Sequence, residues 1–444
     1  MFSKILIANR GEIAVRIIRA CKEMGISTVA IYSEADKDAL HVSMADESYC
    51  VGPAPAKDSY LNIPAILTAA VSSGAQAIHP GYGLLSENAR FADLCKKCNI
   101  TFIGPSAEVI AKMGDKNEAR KTMIAAGVPV IPGCETVTSP EEARENGEKI
   151  GYPLLIKAKA GGGGRGIRKV NSAEEVENAF FSAGTEALSA FGDGAVYMEK
   201  FLYPVKHVEV QLLCDNYGNV VALGERDCSA QRKNQKLIEE SPCSVISPEL
   251  REAMCESACK AARAVGYTGV GTIEFLLDKN NHYYFMEMNT RLQVEHPVTE
   301  MVTGYDLVKW QIRTAAGVKL DFTQEDISVN GCAIECRINA DNSAGESGGG
   351  LIKLLHVPGG PWVRFDTAIF QGYRIPPFYD SMIGKLIVYA KSRDEAIRKM
   401  RAALSELVIG GVGSNIEQQL ELLSQAEFIS GSYCTDLLER MVGQ

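Results

Sequence analysis

The sequence predicts an α/β protein with a doubly wound parallel sheet first, a small glycine-rich lid next, and a larger α+β region on an antiparallel sheet last. Three observations carry that reading. Apolar strand-like runs alternate with amphipathic helical stretches over residues 1–112, four glycines adjoin at 161–164, and long β-rich runs separated by polar turns fill much of 201–444. We therefore divide the chain into 1–112, 113–200 and 201–444.

In the first segment KILIAN, STVAIYS, ESYCVG, QAIHPG and TFIGP read as strands. GEIAVRIIRACKEMG, YLNIPAILTAAVSSG and ENARFADLCKKCN read as the helices between them. Such alternation argues for a parallel sheet wound on both faces. The first turn, ANRGE, holds one glycine where a dinucleotide fold wants GxGxxG, which disfavours nicotinamide chemistry. HPGYG, with Tyr82, closes a strand at the edge where open sheets bind ligands.

In the second segment helical stretches follow MGDKNEARKTMIAAG, and SPEE and SAEE signal helix starts, Ser172 with Glu175 fitting a capping box. YPLLIKA, carrying Lys157, then leads into AGGGGRG, and IRKV follows as a returning strand. Adjacent glycines cost conformational entropy. They make sense where backbone N–H groups wrap phosphate oxygens, here in a hairpin lid, since no GK[ST] completes a Walker loop.

In the third segment HVEVQLL turns at DNYGN into VVALGERD, and His207 and Glu209, alternating with apolar residues, are expected to leave the core face. Gln231, Arg232, Lys233 and Lys236 form a basic cluster suited to a polyphosphate or bicarbonate. TIEFLL and YYFMEM flank the polar turn DKNNH. A two-residue Asn280-Asn281 loop would set Glu274 directly opposite Glu287. Like charges so placed destabilise a sheet, and a hard divalent cation between them reverses the sign. Asn289 points to the same side and adds an oxygen. Arg291, Gln293, Glu295 and His296 follow at once, a setting for a small anion beside the metal. MVTGYDLVKWQIRTAAG reads as one helix, GCAIECRINA as a strand presenting Arg337, and DNSAGESGGG as a mobile loop. A last helix opens with Ser392 and Glu395 as a capping pair.

The totals narrow the class. A net charge of −9 argues against a nucleic-acid surface, and no apolar run approaches the roughly 20 residues of a membrane span. MFSKILIANRGE lacks a signal-peptide layout, and the thirteen cysteines are odd in number and scattered. Reduced cysteines in a cytoplasmic protein are the expectation, including Cys95 and Cys98 in their helix.

EMNTRLQVEHPVTE resembles the signature of biotin carboxylases, which are ATP-grasp enzymes. The likeness runs from ANRGEIAVRIIRA to YDSMIGKLIVYA, nearly the whole chain. It implies that ATP phosphorylates bicarbonate to carboxyphosphate, which carboxylates biotin as the first half-reaction of acetyl-CoA carboxylase in fatty acid synthesis. Lys116, Lys157, His207 and Lys236 are then phosphate partners, with backbone donors from Gly163 and Gly164. Glu199, Lys200, Leu202, Gln231, Asn234, Leu276 and Glu287 complete the ATP site, and Glu274, Glu287 and Asn289 hold Mg²⁺ or Mn²⁺. Arg291, Gln293, Val294 and Lys236 hold bicarbonate, and Glu295 is its base. Arg337 stabilises the biotin enolate beside Tyr82.

The resemblance also implies a homodimer. The AMKM-type tetrapeptide that carries covalent biotin is absent, and Ile397-Arg398-Lys399-Met400 sits in a helix. Biotin is thus expected on a separate biotin carboxyl carrier protein, with carboxyltransferase subunits as further partners. Two departures stand out. Asn234 occupies a place where many relatives carry His, and DNSAGESGGGLIK lacks their Phe and Pro-Ser-Pro-Gly run. The competing readings are the same subunit serving pyruvate or another acyl-CoA, a different ATP-grasp ligase, and a non-catalytic nucleotide-binding regulatory subunit.

Overall fold

In the computed structural model, residues 1–159, 166–341 and 349–442 are described. They form two compact units, Met1–Gly114 with Lys206–Glu274 and Met288–Gln444, and Asp115–Val205 with Phe275–Glu287.

The larger unit begins with a five-stranded parallel sheet of Lys4–Ile7, Ser27–Ser33, Glu47–Gly52, Ala77–His79 and Thr101–Phe102. Its strands are parallel, as the alternating pattern predicts, and their spatial order is third, second, first, fourth, fifth. Helix Gly11–Glu23 buries Ile13, Ala14, Ile17 and Ile18 against it. Asn62 caps helix Ile63–Ser73 by accepting the Ala65 N–H, and Gly74 ends it at φ 69°. The HPGYG loop is pinned from below, because Asn9 Nδ2 donates to the carbonyls of Pro80 (2.7 Å) and Tyr82 (2.8 Å). A Cβ on Gly81 would meet that amide at 2.9 Å, so glycine lets the loop close on it.

The second sheet has eight strands. They run in the order Tyr283–Asn289, Gly269–Asp278, Val205–Cys214, Val220–Arg232, Gln235–Ser241, Cys332–Asn339, Met382–Ala390 and Val363–Thr367. Alternation along Cys332–Asn339 separates two layers. Ile334, Cys336 and Ile338 enter the large core with helix Arg393–Glu406. Ala333 lies on the other face, packing with Val298 and Val302 of helix His296–Thr303.

The smaller unit holds a four-stranded sheet in the order Gly133–Val137, Val196–Lys200, Leu154–Ala158, Ile167–Val170. Helices Pro140–Ile150 and Val176–Phe191 cover it over a core including Leu154, Ile156, Val170 and Met198. Leu154–Ala158 and Ile167–Val170 pair antiparallel, the hairpin expected around the glycine run. Gly163 and Gly164 lie outside the described residues, as does most of the DNSAGESGGG loop.

Several local expectations change. The stretch 301–317 is two helices, because Gly304 ends the first at φ 80° and Asp306 caps Leu307–Ala315. Ser172 makes no side-chain cap, and Glu175 instead accepts the Asn171 N–H at 2.8 Å. Arg393–Glu406 is not the last helix, since Ile416–Leu422, Ala426–Ser430 and Leu437–Val442 follow.

The DKNNH turn spans three residues rather than two, so the two-residue loop that would set Glu274 directly opposite Glu287 does not form. Asp278 N–H bonds His282 O (2.9 Å), Asn281 N–H bonds Asp278 O (3.1 Å), and Asn281 takes φ 63°. The Asp278 carboxylate accepts the N–H groups of Asn280 and His282, which favours the longer turn. The two-residue hairpin lies elsewhere. Arg232 pairs with Gln235, and Lys233 and Asn234 both adopt positive φ, 50° and 64°.

All thirteen cysteines are unpaired. Among the described residues no helix is long and apolar enough to cross a membrane.

Candidate active site

Strands Val205–Cys214, Val220–Arg232, Gln235–Ser241 and Cys332–Asn339 deliver an acid-rich array that is almost wholly dry. Lys236 is its centre. Its ammonium lies 2.7 Å from Glu209, 2.9 Å from Glu274 and 2.6 Å from Glu295. Arg226, fully buried, donates to Glu209 (2.6 Å), Gln211 (2.6 Å) and Gln293 (2.7 Å). Arg337 reaches Glu239 through Nε (2.6 Å) and the second oxygen of Glu295 through Nη2 (3.0 Å). The Glu295 carboxylate, at the start of helix His296–Thr303, is thus held between an ammonium and a guanidinium.

The charge states follow from this crowding. Burial works against ionising Glu295, yet Lys236, Arg337 and Arg226 prevail over it and over the repulsion of Glu209, so its carboxyl stays below the ordinary range. The same contest, with Lys236 and Arg226 prevailing over burial, holds Glu209 at about 2. Glu274 also falls well below its usual value, through Lys236 and His207 against burial. Its Oε2 lies 3.0 Å from His207 Nε2, and the other nitrogen of that ring is 2.8 Å from Gln231. Burial alone would lower His207, but Glu274 outweighs it and raises the ring.

Beside this array Arg291 meets Glu87 (2.8 Å) and Asn289 Oδ1 (2.8 Å), and Gln293 donates to Glu274 (2.7 Å). The Val294 carbonyl accepts from Lys385 (2.8 Å), whose ammonium also lies 3.3 Å from Glu12. Tyr82 donates to that same glutamate. The structure therefore brings Tyr82, His207, Gln231, Lys236, Glu274, Asn289, Arg291, Gln293, Val294, Glu295 and Arg337 into one connected set in the larger unit. Asn234 and Lys233 are exposed in their turn, while Gln231 and Lys236 of the basic cluster join the array.

In the smaller unit Lys157 pairs with Glu199 at 2.5 Å across neighbouring strands. Lys200 donates to the carbonyls of Gly151 (3.0 Å) and Tyr152 (2.9 Å). Lys116 opens helix Lys116–Ala125 next to its cap, Asp115, whose carboxylate accepts the Asn117 and Glu118 N–H groups. Leu202 and Leu276 are half-buried, and Glu287 is exposed.

His207 and Glu209 do leave the apolar face, but not for solvent, because their strand is buried along its whole length. Its polar face meets Arg226 and Lys236 rather than solvent. Sequence reasoning also missed Glu12, Glu87, Arg226, Glu239 and Lys385. The one readable signal was Glu225-Arg226-Asp227, three adjacent charges inside a strand-forming run.

For a hard cation, Glu274 and Asn289 of the larger unit offer the oxygen chemistry Mg²⁺ prefers, while Glu287 belongs to the smaller unit. Asn289 presents Nδ2 to Glu274 (2.9 Å) and Oδ1 to Arg291, so its amide must turn before it can serve a metal. Two other groupings, His207–Glu209–Glu274 and Glu209–Cys228–Glu295, bring metal-ligating atoms close together. Lys236 already fills the charge among their carboxylates.

A parallel nucleotide-type sheet, a small antiparallel hairpin unit and an antiparallel sheet bearing buried acids and lysines define an ATP-grasp ligase. The profile described as "Carbamoyl-phosphate synthase L chain, ATP binding domain" matches residues 115–323. "Biotin carboxylase, N-terminal domain" matches 1–110, and "Biotin carboxylase C-terminal domain" matches 335–440. "Biotin carboxylase 1" of Bacillus subtilis (strain 168) is 57% identical over 443 residues, covering 99% of this chain and 98% of the relative. A biotin carboxylase–β,γ-ATP complex from Campylobacter jejuni superposes with TM-score 0.95 at 50% identity, covering 99% of each chain. The biotin carboxylase domain dimer of Hydrogenobacter thermophilus 2-oxoglutarate carboxylase, with MgADP, ADP and bicarbonate, gives TM-score 0.93 at 50% identity. It covers 100% of this chain and 98% of that one. The chain belongs to the biotin carboxylase family and is a ligase that uses ATP to carboxylate biotin.

Proposed function

We propose that this chain is the biotin carboxylase subunit of an acetyl-CoA-type carboxylase, acting in the cytoplasm as a homodimer. It acts on biotin attached to a separate biotin carboxyl carrier protein, and carboxyltransferase subunits use the product. The observation that carries the reading is Glu295 clasped by Lys236 and Arg337, with Arg291, Gln293 and the Val294 backbone alongside. A base, two cations and planar donors gathered in a dry site suit activation of a one-carbon anion.

Lys116, Lys157, His207 and Lys236 neutralise the phosphates, with Gly163 and Gly164 donating from the lid. Glu199, Lys200, Leu202, Gln231 and Leu276 line the nucleotide. Glu274, Glu287 and Asn289 hold Mg²⁺ or Mn²⁺, which when bound neutralises charge developing on the transferring phosphoryl group. Arg291 receives bicarbonate in its planar fork, helped by Gln293 and the Val294 backbone. Glu295 accepts the bicarbonate proton. A depressed carboxyl is a weak base while both cations hold it, so proton transfer requires Lys236 to shift toward phosphate.

Bicarbonate oxygen attacks the γ-phosphorus of ATP, ADP leaves, and the resulting carboxyphosphate splits into CO₂ and phosphate. The phosphate takes the N1 proton of biotin, Arg337 stabilises the enolate oxygen beside Tyr82, and N1 attacks CO₂. Family relatives also serve 2-oxoglutarate and pyruvate carboxylases at similar identity, so the final acceptor is set by the partner chains. ADP release from Mg-ATP, with and without bicarbonate and free biotin, tests the reading. Turnover that depends on both supports it, and nucleotide binding without turnover favours a regulatory subunit.

A further inference from the structure

The role assigned above to Arg337 requires a guanidinium held still, and this inference rests on that role. Two acids form the floor beneath it. Glu239 and Glu335 are direct cross-strand partners on Gln235–Ser241 and Cys332–Asn339, so their side chains leave the sheet on one side. Both are 0% exposed. Glu239 Oε1 accepts from Arg337 Nε (2.6 Å) and Nη2 (2.5 Å), but its Oε2 and both oxygens of Glu335 lack a hydrogen-bond partner. The charges facing the pair are Arg337 on the strand of Glu335, Lys385 on the next strand, Lys236 on the strand of Glu239, and Glu295 at the adjoining helix. Lys385 gives its ammonium to the Val294 carbonyl and Glu12, and its charge still acts on Glu335.

We propose that Glu239 and Glu335 hold a single proton between them, Glu335 donating its O–H to Glu239 Oε2, as a positioning pair that keeps Arg337 set against Glu295. One hydrogen bond then satisfies two of the orphaned atoms and removes the repulsion of two facing carboxylates. Burial pushes Glu335 well above the ordinary carboxylate range against the pull of Lys385, and it lifts Glu239 to about 7 against Arg337. Shared acids of this kind titrate as one unit. A second negative charge in the pair would draw the guanidinium off Glu295 and away from the biotin oxygen.

Infrared spectroscopy on the full-length, substrate-free protein at neutral pH tests the pair directly. A protonated-carboxyl stretch that shifts in D₂O is expected, and it should vanish in Glu335→Gln. That variant keeps an N–H donor for Glu239 Oε2, so it should fold and keep biotin carboxylation within about threefold, while losing an alkaline fall in kcat/KM for biotin. Glu335→Ala should lower kcat for biotin carboxylation about tenfold and leave bicarbonate-dependent ATP cleavage within about threefold. No stretch in the unsubstituted protein, a Glu335→Gln that does not fold, or one as impaired as Glu335→Ala would each overturn the shared proton. A stretch that behaves as expected, in a protein that never carboxylates biotin, supports the pair and counts against the reading of function.

Discussion

Arg337→Ala should separate the two halves of the reaction. Arg337 makes two contacts to Glu239 and one, at 3.0 Å, to Glu295, while Glu295 keeps Lys236 at 2.6 Å. Losing one charged hydrogen bond costs about 1.5–3 kcal/mol, and the surviving Lys236 contact limits the damage to Glu295. Bicarbonate-dependent ATP cleavage should therefore fall roughly tenfold or less. Biotin carboxylation loses the donor aimed at the enolate and should fall about 10² to 10³-fold. Labelled bicarbonate fixed on biotin, measured beside ADP release, reads both. Equal loss of the two activities would refute the assigned role.

The same variant carries a stability signature with a definite sign. Glu295 is depressed, so its contribution is present above the unfolded carboxylate pKa and lost as pH falls through its lower folded value. Glu239 is raised to about 7, so it favours the fold at low pH and costs stability as pH climbs toward that value. Removing the guanidinium raises both groups. The deficit of Arg337→Ala should thus be small near about pH 5 and widen toward about pH 8, approaching the roughly 3–5 kcal/mol of a broken buried pair. Thermal midpoints at both pH values, against the unsubstituted chain, decide it, and a constant gap would rule out the electrostatic account.

Further outcomes follow from other parts of the molecule. Glu274→Gln with Glu287→Gln should raise the Mg²⁺ concentration needed for ATP cleavage, and an unaltered metal titration would dismiss those acids as ligands. Lys157→Gln removes the ammonium paired with Glu199 and should raise KM for ATP about tenfold with KM for bicarbonate steady. Parallel shifts in both constants would count against a phosphate role. At the Lys233-Asn234 turn, Asn234→Val should cost about 1–2 kcal/mol while Asn234→Gly is tolerated, because only the branched side chain resists φ 64°. Denaturation midpoints compare the two, and equal effects would reject the strained-turn account.

Much of this architecture was legible before any coordinates. The alternation of residues 1–112 points to a parallel sheet, and EMNTRLQVEHPVTE with the Arg337 strand supplies residues that the structure gathers into one buried array. The hidden part is long-range. Alternating His207 and Glu209 look solvent-facing because nothing nearby in sequence shows that Arg226, Lys236 and Gln293 will cover them. Glu335 looks like an ordinary surface residue until its strand is seen lying between two others. Turn chemistry was a different kind of miss. Asn280-Asn281 suggested the two-residue loop, but the Asp278 carboxylate gathers the following N–H groups and lengthens it, while Lys233-Asn234 takes the tight geometry. Gly304 and Asp306, a left-handed stop followed by a cap, could have divided the 301–317 helix from sequence alone.

The clasp of Lys236 on three carboxylates has a kinetic meaning for any arriving anion. Such a pocket presents little bare positive field to the surroundings, so a stray phosphate or acetate gains little by entering. A newcomer must swap places with an internal acid, and the exchange favours a ligand only when it brings its own countercharge or leaves behind a proton acceptor. Discrimination is then exercised at the moment of replacement, by whichever guest lets the displaced glutamate do something useful.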